Sequence, residues 1–270
     1  MGMKAFCRTL GLQIALVWLL AWASGAGAQT RFQLVESVPV ETSLGIEETA
    51  RTLPVWLEMI RSARKSLDIE IFYLSNKAGE PLEQVVAALR EAARRGVRVR
   101  IIVDGKFYHT YPQTLDELNQ LEGIRVRPLQ YFDRLGGVLH AKYFVVDGRE
   151  LFIGSQNFDW RALKHIHELG VRIAHPGLAA LVLKIFELDW RLAGSGETSL
   201  ADLPPLKPDE VIDAEHPVQI PWQGDTLRIY PTFSPIGAIF PGMTSDESAL
   251  LNLIHTARQR VAVQLLTYSP

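Results

Sequence analysis

Two short runs decide how the chain reads: His140-Ala141-Lys142-Tyr143-Phe144-Val145-Val146-Asp147 and Gly154-Ser155-Gln156-Asn157. The apolar residues inside the first run and just before the second predict strands over 139–146 and 150–153, turning at Asp147-Gly148. On a strand, residues two apart share a face. The His140 imidazole and the Lys142 ammonium are therefore expected on one side, ~7 Å apart at the backbone. A neutral imidazole is a nucleophile or proton carrier near neutral pH, and an ammonium is a point charge suited to phosphate. Ser155 and Asn157, again two apart, offer hydrogen-bond donors to phosphoryl oxygens or groups that orient the site. An imidazole used as nucleophile needs a carboxylate on its other nitrogen to hold the tautomer. Glu168, which opens the next expected strand, is the candidate. Asp147 has the opposite parity to His140 and precedes a glycine, which favours turn capping for it.

Outward from these runs, helices and strands alternate. Apolar spacing predicts a helix over 48–64, a strand over 66–74 with Leu67, Ile69, Ile71 and Tyr73 on one face, and a helix over 81–95. Pro81 suits the first turn of that helix and Gly96 its stop. Strands over 97–103 and 124–127 flank a short helix over 114–121, a strand follows over 168–174, and a helix spans 176–192. This order argues an α/β sandwich around a mixed, mostly buried sheet. Trp160 and Trp190 read as core packing. Arg94, Arg95 and Arg100 read as a solvated helix end and strand flank. Residues 193–221, rich in Gly, Pro, Ser and charge, read as a linker or a long loop over a domain edge. His165, His167 and His175 match no zinc-ligand spacing, so no metal is expected there.

The composition is that of an ordinary globular protein: 270 residues, 47% hydrophobic, 21% charged, net charge -2. It excludes a disordered, collagen-like or polytopic membrane chain, and no strong field of either sign advertises nucleic acid or acidic membrane. The one cysteine, Cys7, excludes an intrachain disulfide. Residues 1–28 read as an export signal: Lys4 and Arg8, an apolar run from Leu10 to Trp22, then Ala26-Gly27-Ala28 before Gln29. Cleavage there predicts a periplasmic or secreted protein, and an uncleaved signal a membrane anchor.

The chain also resembles itself. A shift of 194 lays Leu57 on Leu251, Ile60 on Ile254, Ala63-Arg64 on Ala257-Arg258, and Leu67, Ile69 and Ile71 on Val261, Val263 and Leu265. The expected organisation is a first domain over 29–192, a connecting segment over 193–221 and, over 222–270, the start of a second copy. A counterpart of His140 would fall near position 334.

The runs around His140 and Ser155 resemble the signature of the phospholipase D superfamily, His-x-Lys-x4-Asp followed by Gly-Ser-x-Asn. Asn157-Phe158-Asp159-Trp160-Arg161-Ala162-Leu163, Glu168-Leu169-Gly170-Val171 and Ile185-Phe186-Glu187 are similar to the branch of animal lysosomal 5′ exonucleases and poxvirus envelope phospholipases. The resemblance implies an α-β-α sandwich and hydrolysis of phosphodiesters, of phospholipids or of nucleic-acid ends, through a phosphohistidine. It implies no metal or other cofactor. The implied site set is His140, Lys142, Asp147, Ser155, Asn157 and Glu168. Members pair two His-x-Lys motifs, one histidine attacking phosphorus and the other protonating the leaving group. With one motif here, the expected partner is a second His-x-Lys half or a second copy of this chain. The competing reading is a catalytically incomplete half.

Overall fold

The computed structural model describes residues 31–194 and 199–263; the segment expected to be an export signal and the last residues of the expected second copy lie outside the described residues. Strand β1 (Arg31–Ser37) and the short β2 (Ala50–Arg51) lead into helix α1 (Thr52–Ser62). There follow β3 (Ser66–Ile71), β4 (Leu74–Ser75), α2 (Leu82–Arg94), β5 (Arg98–Asp104), α3 (Gly105–Thr110), α4 (Gln113–Asn119) and β6 (Ile124–Leu129). Next come β7 (Lys142–Val146), β8 (Glu150–Gly154), β9 (Phe158–Asp159), β10 (Glu168–Ala174) and the long α5 (Pro176–Leu192). The described chain continues through β11 (Val218–Trp222), β12 (Asp225–Ile229) and α6 (Asp246–Thr256).

Eight strands form one mixed sheet in the order β2-β1-β10-β8-β7-β3-β5-β6. The pairs from β1-β10 to β7-β3 are antiparallel, and β3-β5-β6 run parallel. Leu67, Ile69 and Ile71 of β3 and Val99, Ile101 and Val103 of β5 point to one face, where they bury against α1 and α2. Trp56 of α1 fills the centre of that layer, edge-on to Phe144 and Phe152 and stacked on Phe158 at 4.5 Å. The alternate residues face α5, which completes the expected α/β sandwich.

The α5 face carries a polar layer. Arg100 Nε donates to Asp68 Oδ1 at 2.7 Å, and the guanidinium lies 4.7 Å over the Phe186 ring. The solvated flank expected of the arginine run therefore holds for Arg94 and Arg95 but not for Arg100, whose side chain is only 11% exposed. Tyr143 donates its hydroxyl to Glu70 Oε2 at 2.7 Å, with Asp189 of α5 beside them. Burial pushes the Glu70 carboxyl up to about 7 and raises Asp189 well above the carboxylate range, each carboxyl acting on the other.

Three expectations shift. The helix over 48–64 contracts to α1, because Ala50 and Arg51 pair with β1 instead. The strand over 139–146 begins only at Lys142, because the Leu139 amide bonds the Asp104 carboxylate rather than a neighbouring strand. The segment 193–221 is packed: Leu203 and Leu206 lie against Ile185, Leu188 and Phe240, while Val218 and Ile220 of β11 bury against Ile173 and Leu178.

The shift of 194 carries Thr52–Ser62 onto Asp246–Thr256, so α1 and α6 are the same eleven residues of the repeat. Trp56, Leu57, Met59 and Ile60 of α1 are buried, whereas their counterparts Leu250, Leu251, Leu253 and Ile254 are exposed. Val261 and Val263, which the repeat matches to strand residues, are exposed and outside any strand among the described residues.

The turn between β7 and β8 fixes the register of the site strand. Asp147 (φ 52) and Gly148 (φ 66) take the paired left-handed geometry at the centre of a tight turn, in which Arg149 N–H donates to the Val146 carbonyl at 3.0 Å and three residues separate the paired Val146 and Glu150. The Asp147 carboxylate accepts from the amides of Arg64, Lys65 and Ser66, with Lys65 N–Oδ1 at 2.7 Å. Those backbone bonds hold its carboxyl below its ordinary value against the opposing effect of burial. Its folded pKa being depressed, the stability it adds is present above the ordinary carboxylate pKa and is lost as pH falls through the folded one. Asp147→Ala is therefore expected to cost about 1–2 kcal/mol in urea unfolding at pH 7 and much less near pH 3. An equal cost at both pH values would sink this account.

Candidate active site

The strand order brings most candidate groups to one end of the sheet. The carboxyl ends of β3, β5 and β8 meet the amino ends of β7 and β10 there, with Lys142 paired to Ile71 and Gly154 to Gly170. Asp147 sits at the far end of β7, roughly 16 Å away by strand rise. Its carboxylate is occupied by three backbone amides, so it is a structural residue, and its place in the implied catalytic set is corrected.

His140 lies in the irregular segment just ahead of β7, not on the strand. Its imidazole is near the surface, with its ring edge-on to Phe72 at 4.7 Å. Partial burial and the neighbouring Lys142 charge hold its pKa below the ordinary 6.5, while Asp104 opposes them. That direction favours the neutral ring, the form a nucleophile requires. Lys142 is buried. Its Nζ donates to the His140 carbonyl at 2.9 Å and lies 5.3 Å over the Phe72 ring. Burial lowers its pKa to about 8 although Glu168 pulls the other way. A charge poorly compensated by its surroundings is one that gains most from an arriving phosphate.

Glu168 does not take the role expected of it. Among the described residues it makes no hydrogen bond to His140. The β8-β10 register sets Ser155 beside it, and the Ser155 hydroxyl donates to Glu168 Oε2. Burial raises the Glu168 carboxyl, with the Ser155 bond and the Lys142 charge opposing. Glu168 thus acts on Lys142. Ser155 also accepts from the Leu169 amide at 3.1 Å, tying β8 to β10. Asn157 follows the end of β8, and its side-chain Oδ1 is buried without a hydrogen-bond partner. Such an oxygen is costly to leave bare, and a donor from substrate or a partner chain would satisfy it.

The carboxylate nearest in effect to His140 is Asp104, at the end of β5, fully buried. Its Oδ1 accepts from Phe107 N at 3.1 Å and caps α3; its Oδ2 accepts from Leu139 N at 2.7 Å. One side chain therefore holds both α3 and the segment that presents His140. The sequence signal was present: an Asp between Val103 and Gly105, closing an apolar strand whose expected end fell one residue short. Beneath this edge a cavity of about 540 Å³, lined in part by His140, Tyr143, Glu70, Asp189 and Phe233, separates the sheet from α5 and the segment after β12.

The histidines at 165, 167 and 175 have local partners. His167 Nε2 lies 2.8 Å from Glu36 Oε1, His165 faces Glu41, and His175 Nδ1 accepts from Leu178 N to cap α5. Trp160 and Trp190 both pack against core clusters from partly buried positions, and each has two cations over its ring: Lys77 and Arg161 at Trp160, Arg100 and Arg127 at Trp190.

Comparison with known proteins sets this geometry in context. The family described as "Cardiolipin synthase, PLD-like domain" matches residues 56–190. The bovine 5'-3' exonuclease PLD3 is 34% identical over 251 residues, covering 88% of this chain and 50% of that protein. The virion nicking-joining enzyme of vaccinia virus is 31% identical over 223 residues, covering 81% of this chain and 51% of its own length. The chain spans about half the length of the curated relatives it matches. NucT from Helicobacter pylori has the same fold, with TM-score 0.51 and 21% identity, over 60% of this chain and 97% of that one.

The electrostatics of His140 are directly measurable. In NMR titration its imidazole is expected to change charge below 6.5, identified by the resonance that His140→Gln removes. Asp104→Asn removes the one charge that raises it and is expected to move the midpoint lower still. A midpoint above 6.5, or one indifferent to Asp104, would contradict the arrangement.

Proposed function

The chain belongs to the phospholipase D-like family, and on that footing we propose that it is a phosphodiesterase whose nucleophile is His140. An imidazole nitrogen of His140 attacks phosphorus, the bond to the leaving oxygen breaks, and the phosphoryl group stays on the ring. Water then cleaves the phosphorus–nitrogen bond and returns the free imidazole. Lys142 neutralises the equatorial oxygens as charge builds, and the Asn157 side chain adds hydrogen bonding. Glu168 and Ser155 hold the lysine side of the site. The observation that carries this reading is the placing of His140 and Lys142: an exposed imidazole and a buried ammonium lie against the same Phe72 ring, with the ammonium bonded to the His140 carbonyl.

The leaving alkoxide of an unactivated diester needs a proton. We assign that proton to a second His-x-Lys motif, in a second half continuing from α6 or in a second copy of the chain. The repeat of α1 in α6 supports the first source. The printed names of the exonuclease and nicking-joining relatives favour nucleic acid over phospholipid as substrate. Residues 1–28 support action outside the cytoplasm.

An activated diester separates the two requirements, because nitrophenolate departs without a proton. Purified chain with bis(p-nitrophenyl) phosphate in EDTA is expected to release nitrophenolate in a burst, leaving an acid-labile phosphoryl adduct on His140. The burst rate is expected to rise as His140 loses its proton below 6.5 and to fall as Lys142 loses its charge near 8. His140→Ala should lower it by roughly a thousandfold or more, and Lys142→Ala by roughly a hundredfold. Release that is unchanged in His140→Ala would refute the assignment.

A further inference from the structure

A row of aromatic rings starts at His140 and runs out over the carboxyl ends of the parallel strands. Phe72 and Tyr73 leave β3 there, and Phe107 and Tyr111 stand on and just after α3, which β5 delivers to the same edge. The rings touch in series. His140 meets Phe72 at 4.7 Å, Phe72 meets Phe107 at 4.0 Å, Phe107 and Tyr73 lie nearly parallel at 5.8 Å, and Tyr73 meets Tyr111 at 5.3 Å. All four aromatic residues are half-buried. Among the described residues none of them packs into the hydrophobic clusters that make the core, whereas Tyr108, between them in sequence, does. Their outer surfaces are therefore apolar area left at solvent, adjoining the reactive group.

Cations flank the row. Lys142 lies over Phe72, and Lys106, half-exposed and paired with Asp133 at 3.4 Å, precedes Phe107. Arg161 grips Asp159, the carboxylate that accepts the Tyr73 hydroxyl at 2.9 Å. Aromatic faces in sequence with positive charges beside them match one polymer chemistry: bases strung on a phosphate backbone. A duplex does not fit, because its base faces are already stacked on one another. An acyl chain would call for an aliphatic groove and gains nothing from flanking cations.

We propose that Phe72, Phe107, Tyr73 and Tyr111 form a subsite for the unpaired bases of a single-stranded nucleic-acid end, holding the strand while its phosphodiester sits at His140. The proposal rests on the phosphodiesterase reading only for the placing of phosphorus. Asp104 bears on it too, since the same carboxylate caps α3 beneath Phe107 and holds the Leu139 amide. Stacking surface and nucleophile are thereby set by one buried group.

The test is binding without turnover. The full chain carrying His140→Asn, in EDTA, is titrated by fluorescence anisotropy into a labelled oligodeoxythymidylate and into an abasic oligomer of the same length and charge. The bases are expected to improve affinity on the order of tenfold or more. F107L/Y111L, which keeps apolar volume but removes two faces, is expected to lose most of that advantage while binding the abasic oligomer as before. That retained affinity also reports that the variant is folded. Equal affinity for the two oligomers, a base preference that survives F107L/Y111L, or retention on phosphatidylglycerol vesicles with no base preference would overturn the subsite. The nitrophenolate burst judges the chemistry separately. Base-dependent binding without a burst keeps the subsite and removes the enzyme reading, and a burst without base dependence does the reverse.

Discussion

The pairing of β7 against β3 is the constraint from which the site follows. Leu67 opposes Val146 at one end of this ladder and Ile71 opposes Lys142 at the other. Because side chains alternate, a slip of one residue would exchange Lys142 with Tyr143, driving the ammonium into the α5 layer and the phenol out to the edge. Two devices forbid that slip. The Asp147 carboxylate clasps the three amides that begin β3, and the Asp147 amide bonds the Ser66 carbonyl at 2.9 Å. On the opposite face, Tyr143 reaches only Glu70, its direct partner in the ladder. An aspartate far from the chemistry thus decides where the lysine points.

The polar layer under α5 works in the same sense. Burying Asp68, Arg100, Glu70 and Asp189 is expensive, and packed apolar side chains would give equal or greater stability. What the layer supplies is geometry. Arg100 is held by Asp68 on its own sheet and by Glu187 on the helix, and it stacks on two rings of that helix. Tyr143 is bonded to Glu70 within the sheet, and Asp189 of α5 faces the pair. Each bond admits a single setting of α5, and α5 forms one wall of the cavity beneath the site.

The fold was largely legible because its signals are local. Alternation in β3, Pro176 at the head of α5 and Asp147-Gly148 between two apolar runs each name their element without knowledge of the rest. The site was legible as a set of residues but not as a set of bonds. His140 and Lys142 were read as neighbours on a strand, yet the strand starts at Lys142, because the preceding amide is claimed by a carboxylate 35 residues earlier. Glu168 was read as a partner for His140, yet the register of β10 on β8 delivers it to Ser155. The bonds of Asp104 and Arg100 and the contacts of the aromatic row were illegible for one reason. Each acts through contacts between segments far apart in sequence, and single-sequence periodicity carries no information about which edge two loops will share.

Packing and chemistry each set a requirement. Leu250, Leu251, Leu253 and Ile254 lie exposed on α6, and their counterparts on α1 show what such a face is for: it covers a sheet. Each side chain so covered contributes about 1.5–3 kcal/mol, so the drive to bring a strand layer against α6 is comparable to that for a small interface. Under the proposed mechanism, His140 also needs a second acid before an unactivated diester can leave. A second strand layer built as the first is built would bury the α6 face and would present its own strand-end histidine. A second copy of this chain would answer the chemical need but would leave α6 bare unless it docked there. Packing and chemistry thus state two separate demands, a layer against the α6 face and an acid opposite His140, and neither follows from the other.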